Sequence, residues 1–233
     1  MGVKNIFRES IGDFLSLIYP KTCPGCSQSM VRGENGLCTI CKHELSVTNY
    51  HLDQTNALSS KFYGRLPLEN AFAYIFFHKG GVAQSILHEL KYNGNVEIGK
   101  LMGQWYGHEL SKLQLSIDLI VPVPLHKIKL KKRGYNQSDY FAWGLSDALE
   151  VPWNKDILIR HIQSETQTNK TKEERWKNVK DNFVVKNDAN IVDKHLLLVD
   201  DVITTGATIE ACGNALLNSG ISKLSVGSLA MAK

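Results

Sequence analysis

Two adjacent carboxylates followed by a threonine-rich loop are the residues of this sequence best suited to chemistry. Asp200 and Asp201 come directly after the apolar run Leu196–Val199, and the loop Thr204–Thr208 follows them. Backbone N–H groups at the start of a helix bind phosphate, threonine hydroxyls add donors, and Gly206 lets the backbone approach an anion closely. Vicinal hydroxyls of a sugar, or a Mg²⁺ ion, would give the two carboxylates partners. The segment therefore predicts a site for a sugar phosphate.

The elements around this loop are a strand before it and a helix after it. Leu196–Val199 reads as a strand buried on both faces, and Ile209–Ser219 reads as a helix. Ligands of open α/β sheets bind at the carboxyl ends of the strands, which is where the carboxylates stand. The alternative is that the aspartates cap a turn and the threonines only start the helix. Neither a Walker-type loop nor a dinucleotide-binding glycine pattern is present.

The rest of the chain alternates between strand-like and helix-like segments. Further strands are expected at Ala71–Phe77, Asp118–Pro124, Asp156–His161, Phe183–Lys186 and Leu224–Met231. Further helices are expected at Val82–Tyr92, Gly99–Leu113 and Asn136–Leu149. This alternation predicts an α/β fold with a mostly parallel sheet. Pro122 indicates that its strand ends there or lies at an edge, since proline cannot donate to the ladder.

Four of the five cysteines form two tightly spaced pairs. They are Cys23, Cys26, Cys38 and Cys41. Two residues separate the members of each pair, and this spacing lets four thiolates surround one tetrahedral zinc ion. Such a site is closed and would be structural. A disulfide framework or two redox dithiols are the alternatives. Cys212 falls in a predicted helix and is expected to be a packing residue.

Composition and patterning bound the domain organisation and the location. The chain has 233 residues, 43% of them hydrophobic, and a formal net charge of +4. We expect an N-terminal helix with the cysteine module at residues 1–60 and a main domain at residues 61–233. Apolar residues at helical spacing between Val3 and Ile18 predict an amphipathic helix docked on the body, or alternatively on a membrane surface. No apolar stretch reaches the length of a membrane span, so a cytoplasmic protein is expected.

Several motifs together resemble a known family. Leu198–Thr208 resembles the phosphoribosyl-pyrophosphate signature of type I phosphoribosyltransferases. The cysteine pairs after Leu17–Pro20, the run Val121–His126 and the run Arg133–Gln137 are similar to the ComF family, named for bacterial competence proteins. The resemblance covers nearly the whole chain. It implies a type I phosphoribosyltransferase fold, a mostly parallel sheet flanked by helices, with a small zinc-ribbon-like N-terminal module.

The resemblance also implies a role for each part of the site. Asp200 and Asp201 would hold the ribose hydroxyls and Mg²⁺. The 5′-phosphate loop would consist of Val202, Ile203, Thr204, Thr205, Gly206, Ala207 and Thr208. The pyrophosphate loop would consist of Pro124, Leu125, His126 and Lys127, with Arg133. A hood over the site would contribute Arg160, Gln167, Arg175 and Asn178.

The activity implied is transfer of a 5-phosphoribosyl group to a nucleophile, with loss of pyrophosphate. Mg²⁺ and basic groups such as Lys127 or Arg133 would stabilise the charge on the leaving oxygens. The sequence shows no general base and no acceptor pocket, so a nitrogenous base and an ammonia-like nucleophile are both open. We expect an enzyme, and a regulatory protein that binds the ligand without turnover is the alternative.

The densest basic run, His126–Arg133, has three interpretations. It is a solvated loop and helix start, part of the pyrophosphate site, or a contact for a nucleic-acid backbone. The third interpretation, with the zinc module and the competence association, suggests an accessory protein of DNA uptake. Such a protein would bind single-stranded DNA and use the phosphoribosyltransferase fold for ligand sensing. An oligomer is possible.

Overall fold

The computed structural model describes residues 21–160, 183–186 and 189–232. Its strands are β1 (Asn70–Phe77), β2 (Leu119–Pro122), β3 (Leu158–Arg160), β4 (Phe183–Val185), β5 (His195–Ile203) and β6 (Lys223–Ala232). Its α-helices are α1 (Thr39–His43), α2 (Ala57–Ser60), α3 (Val82–Tyr92), α4 (Val96–Ser111), α5 (Lys127–Arg133), α6 (Gln137–Leu149) and α7 (Ala207–Leu217). A 3₁₀ turn covers Tyr50–Leu52. The predicted N-terminal helix and the hood residues Gln167, Arg175 and Asn178 lie outside the described residues.

The main sheet is parallel throughout, with the strand order β1-β6-β5-β2. The predicted α/β fold is therefore confirmed. The apolar run Leu196–Val199 lies in β5, between two neighbouring strands, and is fully buried, as its lack of alternation predicted. Pro122 ends β2 at the side of the sheet, and the backbone N–H of Val123 continues the ladder by donating to Val199. A short antiparallel pair, β3 with β4, stands apart from this sheet.

Alternate residues along the strands point to opposite faces, so the sheet divides the core in two. The first core lies under α3, α4 and α6 and takes Leu197 and Val199 from β5. The second core lies under α7 and takes Leu196 and Leu198. Cys212 lies fully buried in this second core, as the packing prediction required. Helices therefore cover both faces, which is the three-layer arrangement of an α/β domain.

The cysteine module is packed against the first core. Cys23, Cys38 and Cys41 belong to the same buried cluster as Ile86 and Leu90 of α3. Buried residues on both sides of residue 60 thus share one cluster, and the expected domain boundary there stays a prediction. No helix of the described residues combines the length and apolarity needed to cross a membrane.

Helices α4 and α6 cross with their backbones in contact. A Cβ atom at Gly144 would collide with the carbonyl oxygen of Lys100, and one at Gly103 would collide with that of Phe141. Only glycine fits at the two positions, because the obstructing atoms belong to the backbone rather than to a flexible side chain. The close crossing fixes the position of α6, whose first turn reaches the carboxyl edge of the sheet.

Candidate functional site

A cavity of about 160 Å³ lies at the carboxyl edge of β2 and β5. Because the two strands are parallel neighbours, the loop after β2 and the carboxylates of β5 meet at this edge. The lining residues are Lys91, Val123, Pro124, Leu125, Lys129, Arg133, Asn136, Gln137, Ser138, Arg160, Asp200, Asp201 and Thr208. The cavity thus brings together residues that the sequence assigned to the sugar, phosphate, pyrophosphate and hood parts of one site.

Asp200 and Asp201 are anchored by different groups. The Ser138 hydroxyl of α6 donates to Asp200 Oδ1 over 3.0 Å, and the backbone N–H of Asp201 donates to the same oxygen over 2.8 Å. Lys91, at the end of α3, places its Nζ 2.7 Å from Asp201 Oδ2. Burial, and next the charge of Asp201, raises the pKa of Asp200 to about 7. Among the described residues, Lys91 is the cation that contacts this carboxylate pair. The pair is therefore suited to bind hydroxyl donors or a further cation.

The first turn of α6 supplies a hydrogen-bond donor that the sequence did not single out. Gln137 is 1% exposed, and its Oε1 accepts a hydrogen bond of 2.6 Å from Arg133. Its Nε2 is buried and has no hydrogen-bond partner among the described residues. Buried polar atoms in folded proteins are nearly always paired, so this N–H group lacks a partner that a ligand oxygen could supply, and Gln137 lines the cavity. Gln137 is thus a further candidate site residue.

The loop predicted to hold the 5′-phosphate turns from β5 into α7. Gly206 has a φ of 80°, and the ring of Phe62 occupies the space where a side chain would start, so glycine is required there. Lys61 donates to the carbonyl of Thr204 over 3.1 Å, which holds the loop from outside.

The remaining members of the loop differ in position. Thr204 and Thr205 are exposed at the turn, and Ala207 and Thr208 begin α7, with Thr208 lining the cavity. Val202 and Ile203 lie inside β5, where their side chains pack against the two cores.

The predicted pyrophosphate loop is only partly at the cavity. Pro124 and Leu125 line it, whereas His126 caps α5 by accepting from the backbone N–H of Ile128. Lys127 is exposed at the start of that helix and does not line the cavity. Helix α5 places the predicted Arg133 in the lining, and also Lys129, which was not predicted. Arg160, at the end of β3, contributes a further cation.

The sulfur atoms of the four-cysteine cluster lie within 4.8 Å of one another. Backbone N–H groups of Gly25 and Cys38 donate to Cys23 Sγ over 3.4 and 3.3 Å, and that of Cys41 donates to Cys38 Sγ over 3.4 Å. Such bonds stabilise thiolate charge and are the usual surroundings of a metal-bound cysteine. All four are free thiols rather than disulfides. The cluster has the ligand type and spacing to bind one tetrahedral zinc ion.

The domain that carries this site is a phosphoribosyltransferase-fold domain. The family model described as "Phosphoribosyl transferase domain" matches residues 137–232, which include β5, its carboxylates and α7. The match shows the class of fold of this part of the chain.

Three relatives show what the chain is similar to beyond this domain. "DNA utilization protein YhgH" of Escherichia coli (strain K12) is 26% identical over 228 residues, which cover 90% of this chain and 96% of that protein. "Competence protein ComFC" of Bacillus subtilis (strain 168) is 25% identical, covering 86% and 79%. "Competence protein F" of Haemophilus influenzae is 36% identical over 118 residues, covering 49% and 51%. The chain is thus similar along most of its length to proteins with competence and DNA-utilization names, as the resemblance to the ComF family predicted.

Solved structures with a similar arrangement include enzymes that act on phosphoribosyl groups. A glutamine phosphoribosylpyrophosphate amidotransferase from B. subtilis has a TM-score of 0.43 and 18% identity, covering 60% of this chain and 30% of that one. Adenine phosphoribosyltransferase from Saccharomyces cerevisiae has a TM-score of 0.39 and 16% identity, covering 63% and 72%.

Substitution in the cysteine cluster tests the metal site. Cys41→Ser removes one of four converging thiols, so we expect the purified protein to lose most of its zinc and to unfold at a lower temperature. Cys212→Ala, a cysteine outside the cluster, should keep one zinc ion per chain. Elemental analysis and thermal unfolding measure both effects. Equal zinc content in the two variants would rule out the four-thiolate site.

The raised pKa of Asp200 predicts that the stability of the protein depends on pH. The pKa of this carboxyl is raised from 3.8 to about 7, so the folded state favours the protonated carboxyl, and stability is lost as pH rises between these values. Asp200→Asn stays neutral and can still accept from Ser138. We expect the variant to be as stable as the parent near about pH 4 and more stable near about pH 8, by a few degrees in Tm. A gap between the two Tm values that does not change with pH would contradict this assignment.

Proposed function

We propose that this protein binds phosphoribosyl pyrophosphate with Mg²⁺ at the carboxyl edge of its sheet and transfers the phosphoribosyl group to an acceptor. The observation that carries the proposal is the single cavity holding both Asp200 and Asp201, the start of α7 and the loop after β2. Ribose hydroxyls would donate to the carboxylates, and the loop Thr204–Thr208 would receive the 5′-phosphate through backbone N–H groups. The family match supports this proposal.

The charges around the cavity suit a polyanion. Lys91, Lys129, Arg133 and Arg160 line it, against the two carboxylates Asp200 and Asp201, so the formal balance is four positive to two negative. Arginine and lysine at such an edge stabilise phosphate oxygens and the charge that develops on a leaving pyrophosphate. The excess of cations favours a ligand with several negative charges over a neutral sugar.

A magnesium ion fits the donor set of this edge. Mg²⁺ prefers oxygen ligands and usually takes one or two carboxylates together with substrate phosphates. Asp200 and Asp201 supply such oxygens, and Asp200 lacks a cationic contact of its own among the described residues. The ion would neutralise charge on the diphosphate of the bound ligand. The side chains around it would orient the sugar and hold the leaving group.

The residues of this chain divide the work of the proposed reaction. Lys91 keeps Asp201 in place from α3, and Ser138 keeps Asp200 in place from α6. Arg133 and Gln137 line the cavity together with Pro124 and Leu125 of the loop after β2, where the pyrophosphate would be held. Fixed donors of this kind stabilise a leaving group without reorganising during the reaction.

Gln137 gives a sharp test of the proposal. Gln137→Glu keeps the oxygen that accepts from Arg133 but replaces the unpartnered N–H donor with a negatively charged oxygen in the wall of the cavity. We expect binding of phosphoribosyl pyrophosphate with Mg²⁺ to weaken about tenfold or more in calorimetry. The control is Gln84→Glu, where the exposed side chain also keeps its acceptor for the backbone N–H of Gly80.

Two outcomes of this calorimetry would count against the proposal. One is the absence of measurable heat from the folded parent protein. The other is equal affinity in the Gln137→Glu and Gln84→Glu variants. Pyrophosphate release measured over a panel of acceptors then separates an enzyme from a protein that binds the ligand without turnover.

A second candidate function is DNA binding in DNA uptake. Helix α5 presents Lys127, Lys129, Lys131 and Lys132 to solvent, and the relatives carry the names "DNA utilization protein" and "Competence protein". A solvent-exposed basic helix can neutralise the phosphates of a nucleic-acid backbone. The protein would then use its phosphoribosyltransferase fold as a ligand sensor.

The salt dependence of DNA affinity tests this second function. Lys131 and Lys132 lie outside the cavity, so Lys131→Gln with Lys132→Gln leaves the proposed ligand site intact. If both contact phosphates, the slope of log affinity for single-stranded DNA against log salt should fall by about 1.4. Lys112→Gln, an exposed lysine at the end of α4, should leave the slope unchanged. A slope that all variants share would reject α5 as the contact.

A further inference from the structure

A second, larger cavity lies beyond the side of the sheet formed by β2. Its volume is about 530 Å³, within the usual range of small-molecule sites. Its walls come from the loop after β2, the turn between α5 and α6, the outer face of α6 and the segment that follows α6. The lining residues are Pro124, Leu125, Leu130, Gly134, Tyr135, Asn136, Asp139, Tyr140, Trp143, Trp153, Lys155 and Asp156.

Aromatic rings form much of the wall on the α6 side. The ring centroids of Tyr135 and Tyr140 are 5.9 Å apart in an edge-on arrangement, and those of Tyr140 and Trp143 are 6.2 Å apart. Trp153 contributes from the segment that bridges to β2. Trp143 is 39% exposed, although aromatic side chains in a core are normally covered. Lys100 Nζ lies over one face of the Trp143 ring, 3.7 Å from its centroid. A planar ligand would stack on the other face of Trp143 and on the ring of Tyr140.

A carboxylate is fixed among these rings. Asn136 holds Asp139 by donating from Nδ2 to Oδ1 over 2.6 Å, and the same Nδ2 donates to the carbonyl of Val123 over 3.0 Å. The second oxygen of Asp139 is left as an acceptor. Burial raises the pKa of Asp139 to about 6, which is the expected response of a carboxylate surrounded by apolar surface. Asp156 and Lys155 add polar groups from the opposite wall.

We propose that this cavity binds a nucleobase ring, stacked on Tyr140 and Trp143 and donating an N–H hydrogen bond to Asp139. Stacking between a base and an aromatic side chain is favourable for every base. The carboxylate selects among them, because adenine, cytosine and guanine carry exocyclic amino groups. In thymidine and uridine, carbonyl oxygens lie on both sides of the one ring N–H group. The cavity should therefore prefer amino-bearing bases.

The position of the cavity leaves two sources for such a ring. It shares Pro124, Leu125 and Asn136 with the cavity that holds Asp200, so a free base or nucleoside there would lie beside the proposed phosphoribosyl site. It also borders α5 through Leu130 and Gly134, so an unpaired base of a strand passing along the basic helix could enter it. The inference goes beyond the proposed function, because ring binding requires neither phosphoribosyl pyrophosphate nor Mg²⁺.

The experiment measures binding of adenosine, thymidine and short oligodeoxyadenylate to the full chain without phosphoribosyl pyrophosphate or Mg²⁺. Calorimetry gives the affinities, and tryptophan fluorescence reports stacking. We expect adenosine-containing ligands to bind more tightly than thymidine. Asp139→Asn keeps an acceptor for Asn136 but loses the charge, and should weaken the adenosine-containing ligands about tenfold while changing thymidine little. The control is Glu150→Gln, an exposed carboxylate at the end of the same helix and outside the cavity.

Tryptophan substitutions test the stacking on the rings separately from the hydrogen bond to Asp139. Trp143→Leu should reduce both the affinity and the fluorescence quenching, whereas Trp105→Phe, a tryptophan of α4 outside the cavity, should retain both. Binding of adenosine itself identifies a free base or nucleoside as the source, and binding of the oligonucleotide alone identifies a strand. The proposal is overturned if neither ligand binds, or if Asp139→Asn and Trp143→Leu bind as well as their controls.

Discussion

The structure must hold two carboxylates side by side at the end of a buried strand. Groups on the helices beside the sheet make this possible. Asp200 and Asp201 repel each other, and burial adds a cost that shows in the raised pKa of Asp200. Lys91 and Ser138 offset part of this cost from two different helices. A fold that keeps such a pair without fully compensating it retains binding energy for a ligand that brings donors or positive charge.

The two anchoring helices reach the carboxylates because the first core fixes them. Leu90, next to Lys91, is fully buried in that core, and so are Phe141 and Leu145 of α6. The contact of α4 with α6 at glycine sets how close α6 lies to the sheet. Side chains positioned by packed helices vary little in geometry, which the proposed binding of a flexible sugar phosphate would require.

Local patterns were sufficient to predict the strands, most helices and the carboxylate pair, because burial on both faces leaves β5 with an uninterrupted apolar run. They could not predict Lys91 or Gln137, whose roles depend on contacts between segments distant in sequence. The roles within the basic run His126–Arg133 also depend on contacts between distant segments. Lys129 and Arg133 are four residues apart and share one face of α5, so they line the cavity, while His126 and Lys127 do not. The sequence also did not reveal the aromatic cavity, because its lining residues come from separate stretches of the chain.

The two faces of helix α6 differ in how large a side chain each can carry. Its inner face is fixed by space, since a single methyl group at Gly144 would collide with the backbone of α4. Its outer face, with Tyr140 and Trp143, borders the aromatic cavity and solvent, where other side chains can be accommodated. Divergence along a lineage can therefore alter the shape and polarity of the outer surface while the architecture beneath it stays the same. One helix thus allows ligand preference to evolve separately from the fold.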